Sequence, residues 1–345
     1  MPRIAKKVLF VGDLDKNGNT YLRSRAIERL VESTDFIDIN DYIHQKHKLK
    51  YRLAFYYQPT CLLRKLNQRI VSRIQEQSYD LVWFEKPIFI FNTTLRYIQQ
   101  RSILSVSLNP DNAFGPRDDG CWKLYLKNMN LFTHHITQRR SNFKDFGSMQ
   151  VKNILFMPFC FDKNIHFPEP GISENKKEYD VTFIGTPHDQ RIEFIKQLAQ
   201  KLDVVVNIYS TDWEKFKRPM SGLNNVVFNN AIYGSDYRNV INKSKILLGF
   251  FTESNVDEYS RRSFEITACG SFLLSQRSSF QKKFFKEKIQ AAYFDNINEC
   301  AEKINHYLAN TEERIKIELA GLKRVQELNI YNDFLIQRML LRIFR

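Results

Sequence analysis

The sequence predicts an α/β protein made of two Rossmann-like, doubly wound domains. Three observations carry this. Apolar runs of strand length alternate with amphipathic stretches of helix length along the whole chain, the pattern of parallel sheets with crossover helices. Each half opens in the same form: Lys7-Val8-Leu9-Phe10-Val11-Gly12 and Tyr179-Asp180-Val181-Thr182-Phe183-Ile184-Gly185 are both followed by a polar loop and a helix-like stretch. The length of 345 residues exceeds one ordinary domain and suits two of about 170 each.

The elements follow in order. After Gly12 comes the loop Asp13-Leu14-Asp15-Lys16-Asn17-Gly18-Asn19, then a helix over 21–32 with Leu22, Ala26, Ile27, Leu30 and Val31 on one face. Strands are predicted at 35–39, 80–84, 103–108, 135–137 and 153–157, with helices between. Residues 1–165 form the first domain. Pro168, Pro170, Gly171 and the polar run 173–178 mark 166–178 as a linker. The second domain, 179–325, has a helix over 191–202 and further strands at 204–209, 226–228, 246–250 and 271–274. Residues 326–345 are expected to form a last helix that returns to the first domain. Two such domains facing each other place a cleft at the carboxyl ends of both sheets.

Composition narrows the function. Hydrophobic residues make up 43% and charged residues 26%, which excludes a mostly disordered chain. No apolar run reaches the roughly 18 residues needed to span a bilayer, and the run after the basic start is too short for a signal peptide. Five scattered cysteines suit a reducing cytosol and exclude a close-spaced C-x-x-C zinc motif. The net charge is +14, of which residues 1–170 hold +10. Nucleic acid, a phosphorylated small molecule and an anionic membrane surface all fit that sign.

The segment richest in chemistry is 257–270. It reads as a loop and then a helix from about residue 262, closed by Gly270. Arg261 and Arg262 concentrate positive charge at a helix start, where backbone N–H groups also point outward, and this is a phosphate site in physical terms. Glu265 lies one turn further on, where a carboxylate can accept two hydrogen bonds from a vicinal diol. The plain alternative is a surface helix with a Glu–Arg ion pair.

The run Phe264-Glu265-Ile266-Thr267-Ala268-Cys269-Gly270-Ser271-Phe272-Leu273-Leu274 resembles the donor-site signature of GT-B glycosyltransferases. It is most similar to the CgeB-like (spore maturation protein-like) branch of the group 1, family-4-like enzymes, whose R-x-F-E-I-x-A-C-G-x-F-L-L pattern 262–274 matches without a gap. The likeness covers 179–330 and is weak over 1–160. It implies two Rossmann-like domains, a nucleotide-sugar donor, and a glycan, lipid-linked or surface-polysaccharide acceptor. It also implies retention of configuration without a metal. Glu265 matches the glutamate implied to bind the ribose hydroxyls. The glutamate eight positions earlier, implied to touch the transferred sugar, falls on the shorter Asp257. Of two diphosphate cations, the arginine position is Thr186 and the lysine position is Arg191, so Arg262 or Arg261 is inferred to replace the missing charge. Gly185, Tyr209 and Phe264 complete the donor-side candidates.

In the first domain, Gly12 and Gly18 bracket a loop that matches neither G-x-G-x-x-G nor a P-loop. It reads as a plain βα turn, or under the resemblance as a donor-side loop at Gly12. His135 sits at a predicted strand start, and Asp111 and Glu85 each follow a strand; each could line the cleft. Asp13, Asp111 or His135 would supply the base if the reaction inverted configuration. Residues 46–73 hold Lys46, Lys48, Lys50, Arg52, Arg64, Lys65, Arg69 and Arg73 with no acid. The plain reading is a helix with a solvated basic face. The functional one is a patch for an anionic acceptor or an acidic bilayer. No Cys/His cluster, H-x-x-x-H or D-x-D offers a metal site.

The sequence therefore predicts a cytoplasmic glycosyltransferase, peripheral at the inner membrane face, with no cofactor beyond its donor. A non-catalytic GT-B relative and a basic nucleic-acid-binding protein are the competing classes. No nucleic-acid motif supports the last.

Overall fold

Val8, Leu9, Phe10 and Val11 are all buried, as a strand covered on both faces requires. They belong to β1 (Ile4–Gly12), the second strand of a six-stranded parallel sheet. The computed structural model describes residues 3–43, 47–116, 120–171, 174–212 and 214–345. The chain divides into two units: Met1–Pro158 with Asn332–Arg345, and Phe159–Tyr331.

The first unit continues with β2 (Val31–Asp38), β3 (Leu81–Glu85), β4 (Leu104–Asn109), β5 (His134–Thr137) and β6 (Ile154–Phe156). Their order is β2-β1-β3-β4-β5-β6, all parallel. The helix Thr60–Glu76 buries Leu63, Leu66, Ile70 and Ile74, the face its spacing predicts. The terminal helix Asn332–Ile343 packs on Asn19–Leu30 within this unit. Arg29 fastens it with two hydrogen bonds to Asp333, at 2.8 and 2.9 Å. The helix expected from residue 326 starts at Asn332, because the preceding helix Thr311–Leu328 runs on to a left-handed Asn329.

The second unit contains β7 (Tyr179–Ile184), β8 (Val206–Ser210), β9 (Val226–Asn230), β10 (Ser244–Gly249), β11 (Leu273–Gln276) and β12 (Ala292–Phe294). The parallel order is β12-β11-β10-β7-β8-β9. β12 has three residues and was absent from the expected strands; a run that short has no readable period. Strand order reverses between β1 and β3 in the first unit and between β7 and β10 in the second. In open parallel sheets such switch points open a crevice at the carboxyl ends, where ligands bind.

Described residues of the expected linker 166–178 make ion pairs with the second unit. Glu169 pairs with Arg238 at 3.0 Å, Lys177 with Glu318 at 2.6 Å, and Arg314 with Glu174. Arg238, Arg314 and Glu318 all lie on helices. Among the described residues no helix is long and apolar enough to cross a membrane.

Candidate functional site

Of the sequence-predicted donor residues, the switch point of the second unit brings Gly185, Arg262 and Glu265 together. The helix Arg261–Ala268 starts just after the loop that leaves β10. Its N-cap Ser260 makes no side-chain capping bond, and its hydroxyl faces Ser263 Oγ at 3.2 Å. First-turn N–H groups that the N-cap side chain leaves uncapped suit an anion. Gly270, at φ +71°, ends the helix as predicted.

Arg262 and Glu265 lie one turn apart on this helix. A Cβ added to Gly185, just past the end of β7, would sit 3.5 Å from Arg262 Cζ and 2.8 Å from Phe183 Cζ. Glycine thus lets the guanidinium approach the β7 loop. Arg262 Nε is buried without a hydrogen-bond partner among the described residues. The charge inferred to compensate for Thr186 therefore stands beside the residue preceding Thr186.

Glu265 is 7% exposed. Tyr237 Oη donates to its Oε2 at 2.7 Å. Burial and the Glu265 charge push the Tyr237 phenol well above its ordinary value, which keeps it a donor. The other oxygen, Oε1, lies 3.9 Å from His166 Nε2, beyond hydrogen-bond range. Burial lowers the His166 pKa, which favours a neutral ring. Its Nδ1 lies 3.1 Å from both the backbone nitrogen and the carbonyl oxygen of Asp162. One carboxylate oxygen is thus fixed and the other is left for a hydroxyl donor. Neither Tyr237 nor His166 was singled out from sequence. They lie 28 and 99 residues from Glu265, and no motif links them.

The other donor-side candidates fare unevenly. Arg191 is buried, and its guanidinium donates to Thr186 O at 3.2 Å, Phe251 O at 2.8 Å and Thr252 Oγ1 at 3.1 Å. It ties the β7 loop to the β10 loop rather than standing as an uncommitted cation. Asp189 strengthens the tie by accepting from the Glu253 N–H at 3.0 Å. Asp257 is half-buried in the same β10 loop, and its N–H donates to Thr252 O at 3.1 Å. Phe264 cannot meet a ligand: it is fully buried against Tyr259, Phe284 and Phe285, with ring centroids 5.0–6.0 Å away. Tyr209 touches the site only through its backbone, where its carbonyl accepts from the Gly185 N–H at 2.9 Å. Its ring turns to Tyr179, the first residue of β7.

In the first unit the candidates are largely absorbed by packing. His135 is fully buried; Ser107 Oγ and Tyr125 Oη lie 2.7 and 3.0 Å from Nδ1, and Nε2 lies 3.0 Å from Met129 O. Burial pushes its pKa down to about 4. It is a satisfied core histidine and cannot serve as the base. Glu85 is buried in a two-pronged pair with Arg23, at 2.8 and 2.7 Å. Asp111 pairs with Lys86 at 2.6 Å, and Asp13 accepts from Asn40 at 2.6 Å. Gly12 is required by packing, since a Cβ there would lie 2.8 Å from Thr20 Cγ2 and 3.0 Å from Glu85 Cβ.

In the basic segment Lys46 lies outside the described residues. Lys48, Lys50, Arg52, Arg64 and Lys65 are exposed. Arg69 and Arg73 are not unpaired, as had been expected: both bond Glu76 at 3.1 Å, and Arg73 also bonds Asp35 at 3.0 Å. The acids lie outside the 46–73 window, so the window missed them. Among the described residues no group of three or more His, Cys, Asp or Glu could hold a metal ion.

Residues 190–337 match the profile of a family described as glycosyl transferase-like. No curated protein matches the chain. Several solved structures are similar along nearly its whole length. Anabaena HepE in complex with UDP-glucose is 14% identical with a TM-score of 0.69, covering 98% of this chain and 99% of that one. A glycosyltransferase from Rickettsia africae and sucrose-phosphate synthase from Thermosynechococcus elongatus are each 12% identical with TM-scores of 0.69, covering 99% of this chain and 98% of theirs. The fold is that of two-domain GT-B glycosyltransferases.

Proposed function

We propose that this chain is a glycosyltransferase that takes a sugar from a nucleotide-diphosphate donor bound by the second unit. One observation carries the reading. Arg262 and Glu265 share a helix that begins at the β7/β10 switch point, with the guanidinium beside Gly185 and the carboxylate half-committed to Tyr237. A cation at an uncapped helix start suits a diphosphate, and an oxygen one turn inside suits a ribose hydroxyl. The similar structure with UDP-glucose makes uracil the first base to try.

The gap-free 262–274 pattern supports placement in the CgeB-like branch, and with it retention of configuration. In that chemistry the leaving phosphate takes the acceptor proton, so no protein base is needed, which accords with His135 being sealed in the core. The leaving charge is met by Arg262, Arg261 and the helix start, and we propose that no divalent metal takes part. The acceptor, a glycan or a lipid-linked or polysaccharide precursor, is assigned to the first unit, and the work to the cytoplasm. A second reading, a donor-binding relative without turnover, is favoured by the commitment of Arg191 to carbonyl oxygens and by the shorter Asp257.

The test is calorimetry with UDP, GDP, dTDP and CDP. One of them should bind, and Glu265→Gln should weaken it by roughly 1.5–3 kcal/mol while the fold persists. Unchanged affinity in the folded variant would sink the assignment. Turnover that survives EDTA would separate an enzyme from the second reading. Transfer lost in EDTA and recovered with Mg²⁺ would overturn the metal-free proposal.

A further inference from the structure

The helix Lys48–Tyr57 has inverted polarity. It rests on the first unit through buried Ala54 and Phe55 and half-buried Tyr51. A surface helix normally turns polar side chains outward. Here Leu49, Leu53, Tyr56 and Tyr57 are 74%, 41%, 42% and 76% exposed. Their spacing of i, i+4, i+7 and i+8 gathers them in one stripe, opposite the packed face. At 100° per residue, Lys50 borders the stripe on one side and Arg52 on the other. Among the described residues Lys48, Lys50, Arg52, Arg64 and Lys65 form no ion pair, and 46–73 contains no acid. An exposed apolar stripe between cations is the arrangement of a helix lying in the plane of a membrane interface. Ten residues are far too few to span a bilayer.

We propose that this helix docks the first unit onto an anionic lipid bilayer. Leu49, Leu53, Tyr56 and Tyr57 enter the headgroup boundary, and Lys50 and Arg52 meet lipid phosphates on either side. The charge complementarity selects an acidic surface, and the outward apolar stripe selects a lipid surface over a soluble polyanion. The inference gives the acceptor-side reading of the first unit a specific surface. It is tested without donor, so its failure leaves the nucleotide-sugar reading intact, and loss of nucleotide binding leaves this one intact.

The experiment is flotation of the full chain with phosphatidylcholine vesicles, with and without 30% phosphatidylglycerol. Wild type should float only with the anionic vesicles. Lys50→Gln with Arg52→Gln should lower partitioning at least tenfold, since each cation near an acidic surface is worth about fivefold. Leu49→Ser with Leu53→Ser should lower it at least fivefold at an unchanged melting midpoint. The exposed Tyr57→Trp variant should shift its emission to the blue on binding and be quenched by brominated lipid. Equal flotation on both vesicle types, or none, would overturn the proposal. Loss in the charge variant with full retention in the serine variant would overturn insertion. So would a lipid-free dimer abolished by the serine changes, which would assign the stripe to a second copy.

Discussion

The two units share one architecture but treat charge at their carboxyl-end switch points in opposite ways. In the first, Arg23 closes on Glu85 within the core and Gly12 packs against Thr20, while away from the switch point, near the start of β5, His135 is ringed by Ser107, Tyr125 and Met129. In the second, Arg262 keeps a buried Nε without a partner among the described residues, and Glu265 commits one oxygen to Tyr237. The lesson is that a charged residue near a strand end says little about function until its partners are known. A buried charge must be paired or hydrogen-bonded. Where the fold supplies the whole set of partners, the group is structural. Where the set is incomplete, a ligand has something left to bind.

The largest effect should break the first unit's side of this contrast. Arg23→Ala removes the guanidinium that holds the buried Glu85, and should cost roughly 3–5 kcal/mol of stability, read as a fall in the urea midpoint. Replacing both residues with apolar ones of similar volume should recover much of that. A single-variant loss below about 1 kcal/mol would mean that the pair is not a structural closure.

The next effect is in pH. His135 is held near a pKa of about 4 against an ordinary 6.5, and the cause is burial. The unfolded chain therefore takes up a proton between those values while the folded one does not. Its contribution is fully present above about pH 6.5 and is lost as the pH falls toward 4, up to roughly 3 kcal/mol. Urea midpoints at pH 7 and pH 5 should diverge more for wild type than for His135→Gln. Parallel behaviour would show that the ring is not sealed.

The smallest effect sharpens the second unit's side. Arg262→Ala should weaken nucleotide-diphosphate binding, and Thr186→Arg should restore part of it. The coupling in a double-mutant cycle should be at least about 0.5 kcal/mol. Strict additivity would mean that positions 186 and 262 do not share a phosphate.

The fold was legible because its determinants are local. Apolar runs such as 8–11 and 181–184 and the amphipathic spacing of Leu63, Leu66, Ile70 and Ile74 depend only on neighbours in sequence, and β1, β7 and the helix Thr60–Glu76 followed from them. The 262–274 signature was legible for the same reason: one helix with its caps holds Arg262, Glu265 and Gly270. Partnership across the fold was not. Whether Arg191 is a phosphate cation or a strap between loops depends on where the carbonyls of Thr186 and Phe251 lie, the second 60 residues away. Whether Phe264 faces a ligand depends on Phe284 and Phe285 closing over it. The sequence by itself determined which residues could act and which elements hold them. Only the tertiary structure decided which were already satisfied, because hydrogen bonding and burial are settled by long-range packing that no local pattern encodes.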